Sequence, residues 1–213
     1  MSKDNEKMQD NVWLDSAENT GSCKTTVGKQ QRFAWALTGS GHFLAESVNL
    51  LEVLPNTDLF LSPAAEEVLP MYGYSLAALR DKGKVFRDKT SSSVPVGTLY
   101  KNSYHTVIIA PATSNTVAKC SFGISDTLPT NMFAQAGKLG ILCIVFACDT
   151  EPVVITRAPK EWVELKPREV EFSNLENLKS FKHCLVVESL EDLKLALEKR
   201  LTFLGLNWKK SCS

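Results

Sequence analysis

The sequence predicts an α/β fold in which helices cover both faces of a mostly parallel β-sheet. Four short apolar runs, at residues 33–37, 59–61, 106–110 and 141–147, alternate with segments of helical periodicity. The last run is apolar throughout, as expected of a strand that is buried on both faces. Such alternation is typical of strand–helix–strand units, and it therefore predicts parallel strands.

The first unit follows a polar N-terminal segment. Residues 1–31 are rich in charged, amide and hydroxyl side chains and show no hydrophobic period, which predicts a flexible tail. The strand at 33–37 ends in the sequence TGSG at 38–41. A helix is expected next, because apolar residues recur there at spacings of three and four, at Leu44, Val48, Leu51 and Leu54.

The other strands are also followed by helical patterns. The strand at 59–61 leads through Ser62 into one of them, and the strand at 106–110 is expected to end at Pro111. The helix before the last strand is expected to end at a glycine cap, Gly137. The short helices predicted in this part of the chain cover residues 75–81, 114–122 and 131–137.

We expect one domain over residues 32–213, with a core at 32–150 and a C-terminal extension at 151–213. The extension begins with β-branched and alternating residues and then changes to helical periodicity. Its expected elements are a hairpin or arm at 153–172, a helix at 174–181, a short strand at 184–188 and an amphipathic helix at 190–204.

Composition excludes several classes of function. Lys plus Arg and Asp plus Glu are both 24, and this zero net charge disfavours binding to nucleic acid. No apolar run approaches the roughly 20 residues that span a bilayer, and the polar N-terminus lacks a signal-peptide core, so a cytoplasmic location without membrane contact is expected. Six cysteines at irregular spacing predict neither a disulfide scaffold nor a metal site.

The loop TGSG at 38–41 is a candidate phosphate cradle. Glycine lets the backbone approach a ligand, and the start of the next helix supplies free N–H groups and a positive dipole. The loop could equally be a tight turn without a ligand. Leu44 occupies the place of the last glycine in G-x-G-x-x-G, and the lysine of a P-loop is absent, which disfavours NAD and nucleoside triphosphates.

The sequence PATSNTVAK at 111–119 places a cluster of polar side chains where a strand meets a helix. A helix N-cap would explain one such residue, Thr113 or Ser114, but not the whole cluster. The amide of Asn115 can donate and accept at once, as the recognition of a heterocyclic edge or a carboxylate requires.

These segments resemble a known family. PATSNTVAK is followed by GISDTLPTNMFAQAG at 123–137, and it is preceded by TGSGH at 38–42 and LSPAAEEVLPMYG at 61–73. Together they resemble the homo-oligomeric flavin-containing cysteine decarboxylase superfamily, and the resemblance covers about residues 32–150. It implies a Rossmann-like (flavodoxin-like) sheet that binds FMN at a subunit interface, in trimers or trimer-built dodecamers.

The resemblance also implies which residues hold the FMN. Those in the first two loops, Gly39, Ser40, Gly41 and Ser62, would contact the phosphate or ribityl chain or lie beside the cofactor. The hydroxyl-rich segment at 90–93 would help to hold the phosphate through Ser91 and Ser92. The residues that would approach the isoalloxazine ring and a substrate are Ala112, Thr113, Ser114 and Asn115.

Two departures from the family disfavour decarboxylation of a cysteinyl peptide. The decarboxylases carry a catalytic histidine about fourteen residues before the P-A-S/T motif, where this chain has Gly97, and His105 lies too close to the motif. The substrate clamp P-x-M-N-x-x-M-W is replaced by ACDTEPVVITRAP at 147–159. The remaining pattern, with REVEFSNLENL at 168–178, resembles the redox branch of dihydromethanopterin reductases and archaeal flavoproteins that accept electrons from ferredoxin.

We therefore expect an FMN-dependent reductase that passes a hydride from reduced flavin to a dihydropterin, with a ferredoxin-like electron donor. Two alternatives stay open: a flavin electron carrier without a substrate of its own, and a decarboxylase or flavin prenyltransferase with altered catalytic residues. The sequence identifies no catalytic residue. Asp126 and His42 are candidate proton donors by chemistry alone.

Overall fold

Six parallel strands form the central sheet of the computed structural model, which describes residues 32–80, 83–89 and 93–209. The α/β prediction is confirmed, whereas the segment at 1–31 lies outside the described residues. The sheet order is β3-β2-β1-β4-β5-β8, and β6 and β7 pair separately as an antiparallel hairpin. The strands are β1 (Arg32–Leu37), β2 (Thr57–Leu61), β3 (Val85–Arg87), β4 (Tyr104–Ala112), β5 (Leu142–Ala147), β6 (Val154–Arg157), β7 (Trp162–Leu165) and β8 (Cys184–Val187).

Helices pack on both faces of the sheet, and two separate hydrophobic cores result. One face carries α1 (Leu44–Val53), α2 (Pro63–Met71), α3 (Leu76–Arg80) and α8 (Leu190–Leu204). The other face carries α4 (Ser93–Val96), a 3-10 turn (Leu99–Lys101), α5 (Ser114–Ser121), α6 (Leu128–Lys138) and α7 (Glu169–Lys179).

Two predicted boundaries are wrong for local reasons. Pro111 does not end its strand, because β4 continues to Ala112 through an irregularity in its pairing with β5, where a residue without an N–H is tolerated. Gly137 does not cap α6 either. The helix continues to Lys138, and Gly140 takes the left-handed conformation instead, with φ of 66°.

The strand order places a ligand crevice between β1 and β4. From β1 the chain continues toward β2 and β3, and from β4 it continues toward β5 and β8, so the connections leave in opposite directions. In open α/β sheets, ligands bind at such a switch point, outside the carboxyl ends of the strands. The loops after β1 and β4 are the two polar loops that the sequence singled out.

The C-terminal extension forms the expected hairpin and helix. Tyr72 at the end of α2 donates its hydroxyl hydrogen to the carbonyl of Arg157, 2.8 Å away, and so fastens β6 to the core. Arg200 of α8 is buried and donates to Thr106 Oγ1 and to the carbonyl of His105, both at 2.8 Å. No helix in the described parts of the chain is long and apolar enough to cross a membrane.

The buried imidazole of His105 is expected to make stability depend on pH. Burial, and secondly the charge of Arg200, lower its pKa from 6.5 to about 3. Between about pH 6.5 and 3, the imidazole is protonated in the unfolded chain and neutral in the folded chain. The free energy of unfolding should therefore fall as the pH drops through this range. In His105→Gln, melting temperatures measured across this range should fall less steeply with acidity. An unchanged slope would contradict the assignment.

Candidate functional site

The carboxyl ends of β1, β2, β4 and β5 bring four loops to one edge of the sheet. Thr38 links two of these loops directly. Its hydroxyl donates to the carbonyl of Pro111 at 2.6 Å and accepts from the N–H of Thr113 at 3.1 Å. Because Thr38 is only 2% exposed, these bonds fix the TGSG loop against the end of β4 in a position shielded from water.

The glycines of the TGSG loop are required by close packing. A Cβ atom on Gly39 would lie 2.5 Å from Cβ of Ala64, in the first turn of α2. A Cβ atom on Gly41 would collide with the hydroxyl of Tyr72. The loop therefore presents its backbone at the switch point without side chains at these two positions, as a phosphate cradle requires.

Two of the serines expected at the site, Ser40 and Ser62, are buried at the same edge. Ser40 Oγ donates to the carbonyl of His42 at 3.0 Å and lies 3.4 Å from Sγ of Cys148. Ser62 is the N-cap of α2, since its hydroxyl oxygen accepts from the N–H of Ala65 at 3.0 Å. Its hydroxyl hydrogen can still be donated to a ligand.

The helix after β4 begins with a capped first turn. Thr113 is the N-cap of α5, and its hydroxyl accepts from the N–H of Thr116 at 3.2 Å. Ala112 is buried, and its carbonyl accepts from the N–H of Cys148 at 2.9 Å. Ser114 and Asn115 follow in the first turn, and Asn115 is exposed. Thr113 thus has a structural role, whereas the amide of Asn115 projects from the positive end of a helix dipole.

The sequence did not indicate two residues at this edge, Cys148 and Asp149. It also did not indicate which residue lies beside His42. His42 Nδ1 lies 3.9 Å from Oδ1 of Asp149, is buried, and has no hydrogen-bond partner in the described parts of the chain. Asp149 takes a left-handed conformation with φ of 59°. Burial raises the pKa of the Cys148 thiol to about 12, which keeps it protonated. Cys148 and Asp149 directly follow the most apolar strand, and this position could have indicated that they lie at the ligand-binding edge of the sheet.

Asp126, the other candidate proton donor, is placed elsewhere. Its carboxylate forms an ion pair with Lys119 at 2.8 Å and is 53% exposed. Ser91 and Ser92, expected near the phosphate, lie outside the described residues. Within the described ranges, no group of three or more His, Cys, Asp or Glu could hold a metal ion.

The C-terminal extension closes one side of the site. A cavity of about 190 Å³ lies between the start of α5, the loop after β5 and the segment that joins β7 to α7. Arg168 pairs with the carboxylate of Glu171, and this hydrogen bonding lowers the pKa of Glu171. The residues that line the cavity are Ser114, Asp149, Leu165, Lys166, Pro167 and Glu171.

A larger cavity, of about 280 Å³, lies at the opposite edge, near the starts of β5 and β8. Its wall includes Cys120, Cys143 and Cys184, and burial raises the pKa of all three thiols. None of its lining residues is a carboxylate. Despite its size, it lies at the amino ends of the strands, away from the switch point. We therefore take the carboxyl edge as the candidate site.

Comparisons with known proteins identify a family and several similar chains. A protein-family model described as Flavoprotein matches residues 22–201. The crystal structure of DmrB from Burkholderia xenovorans in complex with FMN, described as a cubic protein cage for redox transfer, is 63% identical, with a TM-score of 0.78. The match covers 83% of this chain and 98% of that chain.

Two further relatives are more distant. The dihydromethanopterin reductase (acceptor) of Methanosarcina mazei is 37% identical over 142 residues, which are 61% of this chain and 59% of that protein. The chain therefore matches well under two thirds of that reductase. AnUbiX (PadA1), in complex with FMN and dimethylallyl pyrophosphate, is 18% identical with a TM-score of 0.62, over 84% of this chain and 94% of that chain. This likeness concerns the fold alone.

Proposed function

Because the chain belongs to the flavoprotein family, we propose that it is an FMN-dependent reductase whose substrate is a dihydropterin such as dihydromethanopterin. The observation that carries this proposal is the 63% identity to DmrB, an FMN-binding protein described as acting in redox transfer. The match covers 98% of the DmrB chain. The name of the Methanosarcina mazei relative supports the pterin substrate.

The residues at the carboxyl edge fit FMN. The N–H of Leu44 donates to the carbonyl of Gly41, but the first turn of α1 has no side-chain cap. Its remaining N–H groups and its positive dipole would therefore be available to a phosphate beside Gly39 and Gly41. Ser40 and Ser62 would contribute hydroxyl groups along the ribityl chain. Ala112 and the first turn of α5 would lie along the flavin ring, since they border the same crevice.

The chain's own contribution to the reaction is position and the exclusion of water. When bound, FMN would supply the hydride chemistry that reduces an imine carbon of the substrate. The cavity beside Ser114 and Asp149 would hold a flat substrate at the edge where the ring lies. Leu165 and Pro167 would shield this position from solvent on the side of the extension.

Asn115→Ala should lower FMN affinity or turnover by about tenfold, because a hydrogen bond to a ligand of about 1.4 kcal/mol would be lost. The side chain is exposed, so the fold should tolerate the change. Flavin content and reduction rate measure the effect. Asn207→Ala, an exposed amide in the C-terminal segment, is the matched control and should behave as the wild type. Wild-type flavin content and rate in Asn115→Ala would remove Asn115 from the site.

A homo-oligomer is the expected assembly. DmrB is described as a cubic protein cage. Trp162 and Ile155 are 69% and 66% exposed on the β6–β7 hairpin, an arrangement typical of subunit contacts. Light scattering at several concentrations measures the assembly, and a strict monomer would contradict this expectation.

The electron donor is proposed to be a ferredoxin-like protein.

A multiple-turnover assay tests the reductase proposal. The protein should reduce many equivalents of dihydromethanopterin per chain when a chemical donor keeps the flavin reduced. An electron carrier, the second candidate, would reduce a protein acceptor and leave the pterin unchanged. The description of DmrB as acting in redox transfer supports the electron carrier as the second candidate. Release of carbon dioxide from a peptide with a C-terminal cysteine would contradict both.

A further inference from the structure

The carboxylate of Asp149 is placed to accept hydrogen bonds from a ligand. It lines the cavity of about 190 Å³ at the carboxyl edge, and its side chain is 21% exposed. Nδ1 of His42 lies 3.9 Å from Oδ1 of this carboxylate, which is beyond hydrogen-bond distance. Asp149 has a left-handed φ of 59°, so the backbone does not continue the extended conformation of β5 at this residue. Such backbone conformations in non-glycine residues cluster at functional sites.

The other charged groups of the cavity are already paired. The carboxylate of Glu171 accepts hydrogen bonds from the guanidinium group and from the backbone N–H of Arg168, at the start of α7. Lys166 lies 3.4 Å from the carboxylate of Glu164, on the same arm. Among the residues that line the cavity, Asp149 is therefore the acidic group whose two oxygens remain open to a ligand.

The remaining walls suit a flat heterocycle. Leu165 and Pro167 contribute apolar surface, and Ser114 contributes a hydroxyl group at the start of α5. A flat ring system that carries two adjacent N–H donors on one edge would place these donors opposite the two oxygens of a carboxylate. A pterin has such an edge, formed by its exocyclic amino group and the neighbouring ring N–H.

We propose that Asp149 determines specificity by binding the amino-pyrimidine edge of a dihydropterin through two parallel hydrogen bonds. This inference rests on the proposed function, because it takes the substrate to be a pterin. Dihydrolumazine carries a carbonyl group in place of the amino group, so it would point an acceptor at the carboxylate. A site built to pair with donors rejects such an analogue, because its own acceptor would remain unpaired.

Titration calorimetry of the FMN-loaded protein with dihydropterin and with dihydrolumazine tests the inference. The wild type should bind dihydropterin at least about tenfold more tightly. Asp149→Asn should lose about 10- to 100-fold in affinity for dihydropterin, and its preference should level or reverse, because an amide can donate to the carbonyl. Asparagine tolerates a left-handed φ, so the fold should be kept.

Glu151→Gln is the matched control, because it makes the same chemical change at an exposed position of the same loop. It should keep the wild-type preference. A wild type without preference, or a preference that survives in Asp149→Asn, would overturn the inference, and so would loss of FMN from that variant. If dihydropterin binds with the expected preference but is not reduced in turnover, the recognition stands and the reductase proposal fails.

Discussion

Gly39→Ala should weaken FMN binding at least about 100-fold, which corresponds to about 2.7 kcal/mol. The added methyl group would lie 2.5 Å from Cβ of Ala64, and real Cβ atoms do not approach so closely. Since Ala64 belongs to the first turn of a helix, the loop at 38–41 has to move away from it. The backbone proposed to cradle the phosphate would then be displaced. Flavin retention and titration of the apoprotein with FMN measure this effect.

A second substitution can separate this steric cause from a general loss of stability. Ala64 is exposed, and Ala64→Gly removes the atom with which the new methyl group collides. The double variant Gly39→Ala with Ala64→Gly should therefore regain most of the FMN affinity. Gly137→Ala is the matched control, because nothing lies within 4 Å of a Cβ atom there. Wild-type affinity in Gly39→Ala would mean that this loop does not hold the cofactor.

Thr38→Val should destabilise the fold by about 2–4 kcal/mol, because two buried backbone groups lose their partner. The carbonyl of Pro111 accepts from the Thr38 hydroxyl, and the N–H of Thr113 donates to it. Valine has the same shape but no polar atom. It would leave both groups unpaired at a position that is 2% exposed. Urea unfolding of the apoprotein measures the loss, and FMN affinity should fall with it because the two loops of the crevice are no longer joined.

Two further variants of this kind act as controls. Thr38→Ser keeps the hydroxyl group and should keep most of the stability. Thr202→Val removes a hydroxyl that donates to the carbonyl of Glu198 on the exposed side of α8, and it should cost at most about 0.5 kcal/mol. Equal losses in Thr38→Val and Thr202→Val would show that the link between β1 and β4 does not stabilise the site.

The core strands could be predicted from the sequence because their hydrophobic pattern is local. The runs in β1, β2, β4 and β5 are apolar enough to be recognised without knowledge of their partners. β3 could not be predicted in this way. It has three half-buried residues and depends on a distant partner, since the N–H of Lys84 donates to Oδ1 of Asp58 at 3.0 Å.

The sequence predicts those parts of the candidate site in which a single loop carries the polar residues. The polar loops after β1 and β4 each contain a recognisable motif, and the parallel sheet brings both to one edge. The group around Asp149 has no such motif, because His42, Asp149 and Leu165 come from three separate segments. Only the folded chain shows that the C-terminal extension reaches the start of α5.

The absorption spectrum of the purified protein, followed through anaerobic reduction and addition of dihydromethanopterin, tests the central proposal most directly. We expect the spectrum of a bound flavin, which is lost on reduction and returns in full when the pterin is added. A flavin that stays reduced in the presence of the pterin would contradict the reductase proposal and leave an FMN protein of another function. Absence of flavin, even after reconstitution with FMN, would contradict the assignment of the carboxyl edge as a cofactor site.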